Sequence, residues 1–271
     1  MGIVGNLPLR AVKRDWLAKT ADFARNLRQA RASPIFRAMQ AEQAGPDAGD
    51  FRHVRAWIFD LDNTLYPARC DLFAQISARM TDYVGRLLGV GPQEALRLQK
   101  EHYRVHGTTL NGLMKLHDVE PEDYLAFVHD IDLAALAPDA QLSRGLKRLP
   151  GRRFVFTNGC RNHAARVLER LELTHLFDAI WDIRAIDYCP KPEAEAYRTV
   201  LAKSGVLASE AAMFDDIARN LVEAHALGLT TVWLKNGSPW SSQGPLYPVA
   251  QSEHIDYETD DLAAFLLSIR V

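Results

Sequence analysis

The sequence predicts an α/β protein built on a doubly wound parallel sheet, with an α-helical insertion placed soon after its first strand. Three observations predict it. The apolar run Trp57-Ile58-Phe59 ends in Asp60 and Asp62, as a buried strand would when it delivers polar groups to a sheet edge. From Arg153 onward, apolar runs alternate with stretches of helical periodicity, which implies strand–helix units on a parallel sheet. Between these regions, residues 68–145 carry helix starts and stops but no strand pattern, far more than one crossover helix needs.

Taken in order, the chain opens on a basic segment. Arg10, Lys13, Arg14, Lys19, Arg25, Arg28, Arg31 and Arg37 face only Asp15 and Asp22 among acids. Trp16, Leu17, Ala21, Phe23, Ala24 and Leu27 fit an apolar helical stripe. We read a helix packed on the body or a partner in preference to an organelle transit peptide. The run from Ala44 to Asp50 reads as a linker. After the opening strand and its turn, Asp71 is placed to cap a helix whose apolar positions run Leu72, Ile76, Met80, Tyr83, Val84, Leu87. Pro92 suits a first helical position with Gly107 as the stop. Gly107 to Leu113 reads as a glycine-bounded loop, Pro121 and Pro138 as further helix starts, and Leu149-Pro150-Gly151 as the close.

Strands are then expected at Phe154–Thr157, Ala179–Ile183, Ala211–Asp215 and Thr230–Leu234. Helices are expected at Asn162–Leu173, Pro192–Ser204, Ala218–Leu227 and Leu262–Ile269, the last capped by Asp260 or Asp261. Gly237 to Pro248 reads as loop. These assignments give a basic extension and linker over residues 1–50, a sheet-bearing core over 51–67 and 146–271, and a helical cap over 68–145.

Composition narrows the partners. The 271 residues are 48% apolar and 24% charged with a formal net charge of -2, which shows no field for a nucleic-acid polymer or a membrane. No apolar run approaches the roughly 18 residues of a membrane span. Cys70, Cys160 and Cys189 are odd in number and scattered, which fits free thiols in a reducing, cytoplasmic compartment. A small-molecule ligand and a monomer or homodimer remain.

Four polar constellations fall at or beyond the ends of the apolar strands: Asp60/Asp62/Thr64, Thr157-Asn158-Gly159, Lys191-Pro192, and Asp215-Asp216 with Asn220. In a parallel sheet those ends share one rim. Alone, each has a plain explanation as a turn, a surface charge or a helix cap; their joint placement suits phosphate-ester cleavage. Two carboxylates one residue apart divide the labour, because like charges cannot both ionise cheaply. Asp60 is the expected metal-bound nucleophile, and Asp62 the acid that protonates the departing oxygen and the base that activates water. Asp215 and Asp216 add oxygen ligands that favour Mg²⁺ over zinc. Thr157 and Asn158 are expected on the phosphoryl oxygens, Lys191 beside phosphate and Asp60, and Asn220 behind a metal ligand.

Asp60-Leu61-Asp62-Asn63-Thr64, Thr157, Lys191 and the run Asp215 to Asn220 resemble the four ordered motifs of the haloacid dehalogenase-like hydrolases, over about residues 55–235. The resemblance implies a Rossmann-like core, a helical-bundle cap, Mg²⁺ as cofactor, and the Asp62 backbone carbonyl among its ligands. Dehalogenases and phosphonate-cleaving members of that family lack an aspartate at the position of Asp62, so its presence speaks against both reactions. Phe59 to Pro67, Gly107 to Leu113, Tyr124 with Val128-His129-Asp130, and Phe156 to Gly159 with Asn162-His163-Ala164 more narrowly resemble its pyrimidine 5′-nucleotidase branch. That branch implies hydrolysis of UMP or CMP. The other readings are a phosphosugar, phosphoglycolate or pyridoxal phosphate phosphatase, a phosphomutase, or a nucleotide-binding module without turnover.

Substrate choice is expected to lie in the cap and around Thr64, Tyr66, His106, Thr108, Thr109, Asn111 and His163. His102, His117 and His129 read as surface or packing residues, and Tyr103, Tyr124 and Phe127 as cap core.

Overall fold

The computed structural model describes residues 50–235, 237 and 253–271. Residues 49–271 form one compact unit. The helix expected in the basic extension and nearly all of the loop expected after Gly237 lie outside the described residues.

Six parallel strands, β1 (Ala56–Phe59), β2 (Arg152–Phe156), β3 (Ala179–Trp181), β4 (Ala211–Asp215), β5 (Thr230–Leu234) and β6 (Tyr257–Thr259), form one sheet in the order β3-β2-β1-β4-β5-β6. Every residue of β1 and β4 is buried, because helices cover both faces and leave no solvent side for a polar alternate. Trp57 and Phe59 face one way and pack with Val155, Phe214 and Val232. Ala56 and Ile58 face the other way with Phe154, Phe156 and Met213. The second face is closed by α7 (Ala194–Ser204) and α8 (Asn220–Ala226), through Tyr197, Val200, Leu221 and Ala224. The first is closed by α6 (Arg161–Arg170) and α9 (Leu262–Ser268), through Val167, Leu168, Phe265 and Leu266. Asp261 caps α9, its carboxylate accepting from Ala264 N–H at 2.9 Å.

Two differences from the expected pattern have local causes. Strand β3 stops at Trp181 because Asp182 turns its carboxylate onto the Arg161 N–H (2.9 Å) and the Ala185 N–H (3.2 Å). It thereby satisfies a free donor at the start of α6. Strand β6 is Tyr-Glu-Thr, too short and too polar to show a period of two, and pairs with β5 at the sheet's edge.

Five helices stand between β1 and β2: α1 (Leu72–Leu88), α2 (Pro92–His106), α3 (Thr109–His117), α4 (Pro121–Val128) and α5 (Ala140–Arg148). Pro92 and Pro121 occupy first-turn positions, where a missing N–H costs nothing. Asp71 precedes α1 but does not cap it; its backbone is left-handed (φ 56°) and its side chain accepts no helix N–H. The segment read as a loop from Gly107 to Leu113 is instead mostly α3. Thr108 caps it by accepting from the Asn111 N–H at 3.0 Å. Gly112 is there for close packing: a Cβ on it would meet the His102 Cβ at 2.5 Å. Helix α5 packs on α9, with the Arg148 guanidinium donating to the Leu266 carbonyl at 2.9 Å. Helix α4 is tied to the loop after β3, where Glu122 pairs with Arg184 and accepts from the Tyr188 hydroxyl at 2.9 Å.

Candidate active site

Strand β1 has β2 on one side and β4 on the other, so the chain's winding reverses between β1 and β4. Ligands bind in the crevice at such a reversal, beyond the carboxyl ends of the strands. Asp60 directly follows β1 and Asp215 ends β4, and the Asp60 N–H donates to the Phe214 carbonyl at 2.9 Å. The strand register therefore sets the two carboxylates side by side.

Lys191, 1% exposed, joins them: Nζ donates to Asp60 Oδ1 and to Asp215 Oδ2, each at 2.7 Å. Its backbone is held by Asn158, whose Oδ1 accepts from the Lys191 N–H (2.8 Å) while Nδ2 donates to the Lys191 carbonyl (3.1 Å). Asn158 is thus engaged with the lysine, where an amide aimed at phosphoryl oxygens was expected. Asn220 donates to both Asp215 oxygens at 3.0 and 3.1 Å, and the Ile217 N–H donates to Oδ1 at 2.9 Å. Asp215 is consequently locked by the protein itself. Asp216 differs, since its buried Oδ2 has no hydrogen-bond partner among the described residues.

Ligand oxygens of Asp60, Asp215 and Asp216 lie within 4.8 Å of one another. An all-oxygen, multiply anionic set with an unpartnered buried oxygen fits a hard divalent cation such as Mg²⁺. Burial pushes the Asp60 carboxyl up to about 7, against Lys191 and with help from Asp215 and Asp62. Asp216 is pushed well above the ordinary range, by burial first and then by Asp215 and Asp60. Burial pulls Lys191 down, but Asp215 and Asp60 outweigh it and raise the ammonium.

Asp62 lies in the turn beyond β1. Its Oδ1 accepts from the Tyr66 hydroxyl at 2.6 Å and from His163 Nε2 at 2.8 Å. Burial raises this carboxyl, but His163 and Tyr66 outweigh it and hold it at about 2. Burial therefore weighs most on Asp60, while His163 and Tyr66 favour the charged form of Asp62. Neighbouring donors decide this: Tyr66, four residues beyond Asp62, and His163, 101 residues away in sequence. The His163 ring stacks on His129 with centroids 4.6 Å apart. Burial and the neighbouring His163 lower His129 to about 4.

Asp60, Asp62, Thr157, Asn158, Lys191, Asp216 and Asn220 line one cavity. Its other wall comes from α1 to α4 and the α3 cap, through residues including Ile76, Met80, Tyr103, Thr108, Thr109, Leu110 and Tyr124. Thr157 Oγ1 accepts from the Gly159 N–H at 2.9 Å and is 1% exposed. Of the residues expected to contact substrate, Thr64, Tyr66, Asn111, His106 and His163 are not in the cavity wall. Thr64 is buried in the turn, Tyr66 is drawn onto Asp62, and Asn111 sits in the first turn of α3. Conversely, Arg219 and Tyr103 do line the cavity, the guanidinium stacked 4.6 Å over the ring and donating to its hydroxyl. Arg219 Nε and Nη1 are buried with no partner among the described residues. A buried guanidinium between a catalytic-looking motif and a helix carries no periodicity signal, so sequence reasoning passed over it.

Among known proteins, phosphate metabolism protein 8 of Saccharomyces cerevisiae is 29% identical over 201 residues, 68% of this chain and 62% of the yeast protein. Two solved structures share the fold. An HAD phosphatase of Thermococcus onnurineus has TM-score 0.51 and 21% identity over 80% of this chain and all of the other (100%). A predicted phosphoglycolate phosphatase of Haemophilus somnus 129PT has TM-score 0.53 and 18% identity, covering 79% of this chain and 97% of its own. The sequence profile of the haloacid dehalogenase-like hydrolases matches residues 54–228, from ahead of β1 to just before β5, and so takes in every residue gathered around Lys191. The chain belongs to the haloacid dehalogenase-like hydrolases.

Proposed function

We propose that the chain is a Mg²⁺-dependent phosphomonoester hydrolase working through an aspartyl-phosphate, with pyrimidine nucleoside 5′-monophosphates as substrates and α1–α4 as the cap that roofs the site. The observation that carries this reading is the convergence of the Asp60, Asp215 and Asp216 carboxylates on one another, the first two bonded to the buried Lys191, beside a cavity that Asp62 also lines.

Asp60, Asp216 and the Asp62 carbonyl would hold the metal, with Asp215 kept in place behind them by Asn220. The ion would neutralise charge on the phosphoryl oxygens and on Asp60. Lys191 adds a fixed positive charge at the same place and costs no reorganisation when the reaction occurs. An Asp60 oxygen attacks phosphorus, an Asp60 O–P bond forms, and the P–O ester bond breaks. Asp62, once protonated, gives its proton to the leaving oxygen. Water then attacks the phosphorus, returns a proton to Asp62 and releases inorganic phosphate, which frees Asp60. An aspartate at position 62 supports an ester with a poor leaving group, because a halide needs no proton.

The apolar wall of Ile76, Met80 and Leu110, with Tyr103 and Tyr124 beside it, supports a leaving group that carries a ring. The yeast relative's name, phosphate metabolism protein 8, and the Thermococcus neighbour's description as a phosphatase agree with phosphate-ester chemistry. A panel of phosphate esters with Mg²⁺ tests the proposal. Phosphate appearing fastest from UMP or CMP supports it. A faster phosphoglycolate, sugar phosphate or pyridoxal phosphate would replace the substrate, and isomerised sugar phosphate without release would make the enzyme a mutase. Nucleotide binding without phosphate release would leave only a binding module. Asp60→Asn, nearly isosteric, should abolish release while preserving the fold; unchanged release would remove Asp60 as nucleophile.

A further inference from the structure

Asp62 is the group that must exchange a proton twice in the proposed cycle, yet a free carboxylate in a turn can rotate and present either oxygen. Here it cannot. The Tyr66 hydroxyl and His163 Nε2 both reach the same oxygen, Oδ1, at 2.6 and 2.8 Å. An ionised carboxylate offers only acceptor sites, so Nε2 carries the hydrogen in this contact. Oδ2 has no hydrogen-bond partner among the described residues, and Asp62 itself lines the cavity while Tyr66 and His163 do not.

The histidine is held as firmly as the group it holds. Its side chain is fully buried (0% exposed) and belongs to α6. One ring face stacks on His129, whose Nδ1 is fixed by the Leu125 carbonyl at 3.0 Å. Its own Nδ1 is buried without a partner, so Asp62 is the ring's one polar attachment among the described residues.

We propose that His163, assisted by Tyr66, is a positioning residue for proton transfer: the two fix Asp62 through Oδ1 so that Oδ2 is the atom presented to the leaving oxygen and then to water. The inference rests on the phosphomonoesterase reading above. In the first half-reaction the proton on Oδ2 passes to the ester oxygen as the P–O bond breaks. In the second, a proton from the attacking water passes back to Oδ2 as the Asp60 O–P bond breaks, so atoms and charge balance over the cycle. Neither His163 nor Tyr66 touches substrate.

Leaving-group dependence separates positioning from mere folding. UMP releases an alkoxide that needs a proton, whereas p-nitrophenyl phosphate releases an anion that is stable without one. With Mg²⁺ present, His163→Leu should lower kcat on UMP by about 10- to 100-fold, within the usual range for general-acid catalysis. On p-nitrophenyl phosphate kcat should fall by less than about 3-fold, since that step needs little acid catalysis. KM should change little for either ester. His163→Gln keeps a side-chain N–H near the position of Nε2 and should recover most of the UMP rate. Equal losses on the two esters, or a glutamine variant no better than leucine, would overturn the inference. If the leucine variant does not fold, Tyr66→Phe decides in the same way: a larger loss on UMP supports the inference and equal losses overturn it. A wild-type enzyme inactive on both esters would instead bring down the phosphomonoesterase reading, and this inference with it.

Discussion

The Lys191 ammonium lies 2.7 Å from the Asp60 carboxylate although 131 positions of sequence separate them. That contact is made inside the protein, where an ion pair is weakly screened and a broken one leaves charge without water. Lys191→Met should therefore fail twice. Phosphate release should drop by at least about 100-fold, as for other fixed charges aimed at a developing anion. Stability at neutral pH should fall by about 3–5 kcal/mol, the usual cost of orphaning a buried charge. Thermal denaturation and a phosphate-release assay on one preparation check both; a stable, active variant would contradict the placement.

Acid dependence of the metal-free protein follows from the same cluster. Asp60 is raised from 3.8 to about 7, so between those values the folded state holds a proton that the unfolded chain has lost. Stability should then decline as pH rises from about 4 to about 7 in EDTA, because the folded state binds more protons there. Asp62 acts oppositely, lowered from 3.8 to about 2, and its contribution is lost as pH falls through that interval. Melting temperatures in EDTA should fall away on both sides of a maximum near pH 4 if these groups dominate. Excess Mg²⁺ at pH 7 should raise the melting temperature, since a ligand that binds only the folded state stabilises it. A pH-independent, Mg²⁺-insensitive melting temperature would count against the carboxylate cluster as a metal site.

Arg219 gives a prediction about the substrate. Two of its guanidinium nitrogens are buried without a partner and the side chain lines the cavity. An acceptor oxygen on the substrate can satisfy them. Arg219→Met keeps much of the stem and removes the donors, so KM for UMP should rise about 10- to 100-fold, from a lost charge-assisted hydrogen bond of roughly 1.5–3 kcal/mol. Steady-state kinetics on UMP measure this; an unchanged KM would mean that water or protein fills those sites.

The sheet and the carboxylate cluster at its edge were legible because each leaves a local mark. Strands β1 and β4 are unbroken apolar runs, and a carboxylate where such a run ends has few uses other than a site at the rim. The α3 helix was hidden because Gly107 and Gly112, which read as loop punctuation, serve a helix stop and a helix crossing. The partners of Asn158 were hidden for a related reason: its residue type announces a hydrogen-bonding amide but not that it meets the Lys191 backbone. The partners of Asp62 were harder still. His163 was marked as a residue of interest, yet only the packing of α6 against the turn after β1 shows that it faces a carboxylate and not the ligand. Side-chain pairing across the fold has no period in the sequence.

The loop after β3 carries two attachments at once. Arg184 and Tyr188 grip Glu122 of α4, and a few residues later the same loop delivers Lys191 to the carboxylates. Its far end is clasped by Asn158 through the backbone on both sides of that lysine. Any swing of α4 away from the sheet must therefore either release Glu122 or drag on the strap that bears the ammonium. One piece of chain thus joins Glu122 of α4 to the lysine that pairs with the carboxylates.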